Sequence, residues 1–217
     1  AAVETEKLSR VDLYGIGTNL TCFSFIQADE EKMERLAEMR KKVENAADHT
    51  LEIVSGGNSA ALDLMMRGGI CEGVDNFRLG ESLLFGKERS RYTFLPGTRN
   101  DGFILECEVV EAKVKPSLPW GTAGVDSYGR KPVFTNRGEK RKKVICAIGR
   151  QDFDAETATP VDEGILILGA SSDHLMLDVT DSVKEYKVGD IVELRLGYFS
   201  VLRAFTSPYV EKIFLKK

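Results

Sequence analysis

Two short stretches combine residue types that can hold an anion. SGGNS at residues 55–59 and RLGES at residues 78–82 each place glycine, serine and a polar or charged side chain where an apolar run stops. Glycine lets the backbone approach a ligand closely. Successive N–H groups in such turns, together with the Ser59 hydroxyl, offer donors to a phosphate. Asn58 and Ser59 are equally good helix N-caps, so a plain strand-to-helix turn explains the first stretch as well. Spacing alone leaves both readings open.

The elements that would position these turns can be read from hydropathy period. VDLYGIGTNL predicts a short strand that ends in a Gly/Thr/Asn turn, and DEEKMERLAEMRKKVENAA predicts a helix. Asp29 can cap that helix, Glu30 and Glu31 suit its first turn, and Arg40, Lys41 and Lys42 lie toward its end. Met33, Leu36, Ala37 and Val43 form its apolar stripe. TLEIVSGG reads as a second strand, NSAALDLMMRGG as its helix, and residues 74–79 as a third strand followed by a loop. This βαβαβ order implies parallel strands, and both glycine turns then fall at the same end of one sheet, where phosphate sites of α/β barrels form.

Beyond about residue 95 the period changes to two. Phe103, Leu105, Cys107 and Val109 alternate with more polar neighbours, and KKVICAIG, GILILGA, HLMLDVT and DIVELRLG follow as short strands. Residues 115–140 lack periodicity and read as a loop or wide hairpin. The expected organisation is therefore an α/β domain over 1–95 and an all-β, barrel-like domain over 96–217. Three βα units are too few for a closed α/β barrel, which takes about 250 residues. Either the sheet is small and covered by the β domain, or an N-terminal part is missing.

Composition narrows the function classes. The 217 residues carry 30 basic and 34 acidic side chains, a net charge of −4, which gives no general support to nucleic acid or an anionic membrane surface as partner. The basic run RGEKRKK (137–143) reads as a solvated hairpin. No apolar run nears the roughly 20 residues that span a bilayer, and the polar N-terminus is unlike a secretory signal. Cys22, Cys71, Cys107 and Cys146 form no CxxC pair and read as buried, reduced thiols of a cytoplasmic protein. Asp173-His174 is a weak metal motif, since neighbours on a strand face opposite ways. Metal is not expected.

Six blocks in order, GIGTNLTCF, VSGGNSAAL, FRLGESLLFG, AIGRQDFD, ILGASSDHLMLDV and GYFSVLRAFTSPYV, resemble the alanine-racemase-like pyridoxal-phosphate enzymes, in the branch that holds ornithine racemase and other amino-acid racemases. The resemblance implies the last three units of an eight-stranded α/β barrel followed by a β domain. It implies that Asn58 and Ser59 follow the seventh strand, with Ser59 on the cofactor phosphate. Arg78 would follow the eighth strand and face the pyridine nitrogen, and Gly80 and Glu81 would supply further phosphate-facing amides. Tyr198 would reach the phosphate through its hydroxyl; without the resemblance it reads as a core aromatic, and Arg78 as a strand-end surface charge. Ser172 and Asp173 lie in the segment implied to touch substrate in a partner subunit, so a homodimer is implied.

Two departures qualify this. The Schiff-base lysine of the first barrel strand has no counterpart here. The block AIGRQDFD has no tyrosine to serve as the second base, and Arg150, Gln151 and Asp152 stand in its place. Asp152 is a candidate base if its pKa is raised, with an ion pair to Arg150 as the plain alternative. Thr18-Asn19 stands where a histidine is implied. The chain is thus expected to be a C-terminal portion of a pyridoxal-5'-phosphate-dependent racemase of amino acids, inactive by itself, with either a homodimer partner or a missing N-terminal half. The competing reading is a non-catalytic phosphate-binding or scaffold module.

Overall fold

The first apolar stripe does fold as a helix with a capped start. In the computed structural model, which describes residues 1–125 and 129–216, the chain divides into two units, Ala1–Gly102 and Phe103–Lys217.

In the first unit a short helix α1 (Ala2–Glu6) precedes strand β1 (Gly15–Gly17) and the long helix α2 (Glu30–Ala47). Asp29 caps α2 by accepting from the Lys32 amide at 2.9 Å, and Met33 and Val43 bury its apolar face. Its last turn carries no basic residue. Arg40 lies further in, where it pairs with Glu44 at 2.9 Å and donates to the Leu51 carbonyl at 3.1 Å, tying α2 to the chain entering the next strand. That strand, β2 (Ile53–Asn58), leads into a 3-10 turn over Ser59–Ala61 and helix α3 (Leu62–Met66). Strand β3 (Asn76–Arg78) follows, and then α4 (Glu81–Phe85), a one-turn helix where the sequence predicts a loop. The three strands are parallel in the order β1-β2-β3. Met33, Val54, Leu64 and Val74 form the core between sheet and helices, with Ile16, Leu36 and Phe77 packed against it.

The second unit is built on β4 (Ile104–Lys115), β5 (Arg141–Cys146), β6 (Ala158–Pro160), β7 (Leu166–Ala170), β8 (Leu175–Asp178) and β9 (Ile191–Leu196), followed by helix α5 (Tyr198–Thr206). The strands form one antiparallel sheet in the order β6-β9-β4-β5-β8-β7. The residues of β4 before Val109 pair with β9, and those after it with β5, across a bulge that lets one long strand serve both halves. The end strands β6 and β7 approach each other, so the sheet curls into a nearly closed barrel. Leu105, Cys107, Val109, Val144, Cys146, Leu175, Leu177, Val192 and Leu194 fill it. The unit is not all-β as the sequence predicts. Helix α5 buries Ser200, Val201 and Ala204, a three-to-four spacing within a short segment. Residues 126–128, in the middle of the expected loop, lie outside the described residues.

The basic run is only partly a solvated surface. Arg141, 14% exposed, pairs with Asp178 at 2.8 Å and Asp181 at 2.7 Å, and Thr180 also donates to Asp178. Burial alone would raise the Asp178 pKa, but Arg141 and Thr180 outweigh it and hold the carboxyl below the ordinary 3.8. The unfolded chain then binds this proton at a pH where the folded chain does not. The pair's contribution is therefore whole above pH 3.8 and is lost as pH falls through the lower folded-state value. Arg141→Ala should cost about 3 kcal/mol near pH 7 by leaving a buried carboxylate short of its partner. Urea melts should show that difference shrinking in acid.

Candidate functional site

The two glycine-bearing turns meet. Both follow the C-terminal ends of adjacent parallel strands, β2 and β3, so their backbone donors point out of the same edge of the sheet. Ser59, 4% exposed, is the point of convergence. Its Oγ accepts from the amides of Gly80 at 3.4 Å and Ser82 at 3.2 Å and lies 3.1 Å from the Ser82 hydroxyl. Serine hydroxyls and amides donate, and among the described residues no carboxylate oxygen hydrogen-bonds to this group; the buried Glu81 side chain pairs instead with Arg89 at 2.9 Å. A Cβ added at Gly80 would meet nothing within 4 Å, so there is open space beside these donors. The donor set suits a phosphate group.

Asn58 does what its residue type predicts for a cap, accepting from the Ala60 amide at 2.8 Å. Its side-chain amide faces the other way, toward Asn19 Oδ1 at 2.9 Å and Cys22 Sγ at 3.1 Å. Cys22 is exposed and Cys71 half-buried, so only Cys107 and Cys146 fit the expected buried thiols. Arg78 is not a loose surface charge. Its guanidinium donates to the Ser55 hydroxyl on β2 and to the Thr18 carbonyl after β1 at 2.8 Å, which stretches it across the ends of all three strands. Behind the site, the Arg89 amide donates to the Ser59 carbonyl at 3.3 Å. Glu88, 3% exposed, holds this loop in place by accepting from the amides of Ser90, Arg91 and Thr93.

Ser55 and Ser82 lie at the ends of the two stretches SGGNS and RLGES but carry no individual signal, because serine is too common in turns for its presence there to count. The amides that reach Ser59 are those of Gly80 and Ser82.

The remaining candidates lie in the second unit. Tyr198 is the first residue of α5, 39% exposed and edge-on to Phe199 at 5.6 Å, which is not the core position its hydrophobicity suggests. Asp152 is 4% exposed and accepts from the Ser207 hydroxyl at 2.6 Å. The alternative ion pair to Arg150 does not form; Arg150 Nε donates to the Ala170 carbonyl at 2.8 Å. Asp173 is exposed, in the turn between β7 and β8, with Ser172 Oγ at 3.0 Å and Ser171 Oγ at 3.2 Å. His174 Nδ1 lies 3.2 Å away, so these neighbours share one side of a turn rather than opposite faces of a strand. The Ser172 hydroxyl first, and then His174, lower the Asp173 pKa, which favours a carboxylate that holds a cation over one that takes a proton. Among the described residues, no cluster of three metal-ligating side chains occurs.

Residues 149–151 clamp that turn. Arg150 N donates to Ser171 O at 2.8 Å and Gln151 N to Ser172 O at 3.0 Å. A Cβ at Gly149 would fall 2.2 Å from the Asp173 amide nitrogen and 2.4 Å from the Ser172 carbonyl. Gly149→Ala should therefore displace the turn and cost about 2–3 kcal/mol of unit stability, visible as a lowered melting temperature.

The chain thus carries a parallel α/β unit with a phosphate-type cradle at its strand ends and a small β barrel, and both are shared with known proteins. Over almost its whole length the chain is similar to two curated amino-acid racemases. It is 45% identical over 209 residues to the ornithine racemase of Acetoanaerobium sticklandii, covering 96% of this chain and 59% of that protein. It is 42% identical over 214 residues to the lysine racemase of Thermotoga maritima, covering 99% and 60% respectively. The chain thus spans about three-fifths of the length of these curated relatives. No family model matches it. Among solved structures, alanine racemase of Clostridium difficile 630 in complex with cycloserine aligns with a TM-score of 0.51 at 20% identity, over 94% of this chain and 54% of that one. D-threonine aldolase from Filomicrobium marinum aligns with a TM-score of 0.55 at 10% identity, over 92% and 49%. At such identities these likenesses speak for the fold alone.

Proposed function

We propose that this chain carries the phosphate-binding end of a pyridoxal-5'-phosphate-dependent amino-acid racemase, an isomerase whose substrate is ornithine, lysine or a similar amino acid. The observation that carries the reading is the meeting of Ser59 Oγ with the Gly80 and Ser82 amides at the strand edge spanned by Arg78. The three parallel units are the last three of an eight-unit barrel. The other units, with the lysine that holds the cofactor's aldehyde, belong to the rest of the intact protein. Among the described residues no lysine stands at the C-terminal end of β1, β2 or β3.

Pyridoxal phosphate, when bound, supplies a ring that draws electrons from the substrate α-carbon and makes its proton removable. The chain's own residues do the rest. Ser59 and the amides of Gly80 and Ser82 bind the phosphate, with Asn58 fixing the turn and the Tyr198 hydroxyl as a further donor. Gly80 and Glu81 form the glycine turn from which the second set of amides comes. A guanidinium only donates hydrogen bonds, so a ring nitrogen set against Arg78 would serve as an acceptor. Inversion needs proton transfer on both faces of the α-carbon, which one rigid group cannot serve. Of the two carboxylates on the substrate side, Asp173 is accessible and ionised and would hold a side-chain ammonium. Asp152 would act only if its bond to Ser207 opened.

A homodimer completes the site. Apolar side chains left in the open support it, including Tyr209 at 79%, Phe214 at 80% and Trp120 fully exposed. No helix among the described residues is long and apolar enough to cross a membrane, and the acidic balance agrees with a cytoplasmic enzyme that does not bind nucleic acid. Titrating the intact protein with pyridoxal phosphate should produce a protein-bound absorption band and interconversion of D- and L-ornithine or lysine. Absence of both would contradict the proposal and return the chain to a phosphate-binding module.

A further inference from the structure

The second unit has a cleft of about 500 Å³; of the residues weighed above for the reaction, Arg150 alone lines it, and the proposed reaction gives Arg150 no role. Arg150, Asp154, Glu156, Thr157, Phe199 and Arg203 form its walls, and Arg130 also lines it. Guanidinium and carboxylate groups that share a cleft usually pair with one another. Here, among the described residues, none of Arg150, Arg203, Asp154 and Glu156 takes part in an ion pair.

The reason lies in what already holds them. Arg150 Nε is bound to the Ala170 carbonyl at 2.8 Å. Arg203, on α5, donates through Nη1 to the carbonyls of Arg150 at 3.1 Å and Phe153 at 3.4 Å. Asp154 accepts from the Thr157 hydroxyl at 3.2 Å. The buried Ser200 locks α5 to the same turn, through Thr157 Oγ1 at 3.0 Å and the Asp154 carbonyl at 2.6 Å. These bonds fix positive and negative groups around one opening without letting them neutralise each other, and Phe199 adds an apolar wall, 48% exposed.

We propose that this cleft is a binding site for a zwitterionic α-amino acid, with its carboxylate on Arg150 and Arg203 and its ammonium toward Asp154 and Glu156. A guanidinium already aimed by a backbone bond loses less freedom on taking a carboxylate. A ligand that carries both charges satisfies both sides, whereas a simple cation or anion satisfies one and leaves the other facing its own sign. The inference uses the second unit alone and does not depend on the proposed reaction.

Calorimetric titration of the protein without added cofactor tests it, with L-ornithine, L-norvaline and 1,4-diaminobutane as probes. Both amino acids should bind, and the diamine, which lacks a carboxylate, should bind at least about tenfold more weakly. Arg203→Gln should weaken L-norvaline by about tenfold. Since Arg203 also braces backbone carbonyls, the exposed Glu156→Lys is the second variant; it should weaken both amino acids at least about threefold with an unchanged melting temperature. No binding of either amino acid, binding of the diamine as tight as that of ornithine, or parental affinity in Glu156→Lys would overturn the assignment.

Discussion

Ser59→Ala in the intact protein should raise the dissociation constant for pyridoxal phosphate by about 10- to 100-fold. That range corresponds to losing one hydrogen bond to a charged group, about 1.5–3 kcal/mol. The hydroxyl is buried and meets two amides and the Ser82 hydroxyl, so its removal also withdraws the common partner of those donors. The cost to the cofactor-free fold should be smaller, about 1 kcal/mol, because water can reach the open space beside Gly80. An absorbance titration beside a thermal melt of the cofactor-free protein separates the two. An unchanged affinity would reduce residues 55–61 to a capped turn.

Arg78 should show the largest effect on turnover. Arg78→Ala removes the group that links Ser55 on β2 with the Thr18 carbonyl, and racemisation should fall by about a hundredfold or more. Arg78→Lys is the informative partner. It keeps the charge but cannot reach both acceptors with one planar fork, so it should recover only a small part of the loss. Steady-state kinetics on both variants, with cofactor content measured in each, check this. A lysine variant as active as the parent would mean that charge alone matters and that the span across the strand ends does not.

The legible parts of the fold were those with a long repeat. Helix α2 announces itself through Asp29, its acidic first turn and the spacing of Met33 and Val43. The barrel strands show in the alternation of Leu105, Cys107 and Val109. Elements of one turn or a few residues carry too little pattern: α4 is five residues long, and β6 is three with a proline at its end. Helix α5 carries a usable signal in the spacing of its buried Ser200, Val201 and Ala204, but the sequence reading assigns no element there and takes Tyr198 only as a core aromatic. Within the site, the glycine turns and Ser59 are legible from sequence as a place where donors gather, though helix capping explains the same residues. Ser55, Ser82 and the exposed Cys22 are not, because their roles depend on register between strands. The same holds for Asp152. A carboxylate in a promising block looks like a base until its buried partner, Ser207, is seen 55 positions away.

The proposed racemisation breaks and remakes the bond between the substrate α-carbon and its hydrogen. Incubating the cofactor-loaded intact protein with L-ornithine in D2O, followed by chiral separation and mass spectrometry, reads that bond directly. D-ornithine carrying one deuterium at the α-carbon is the expected product, formed without any carbonyl fragment. Cofactor binding without deuterium uptake at the α-carbon, for ornithine and lysine alike, would contradict a racemase.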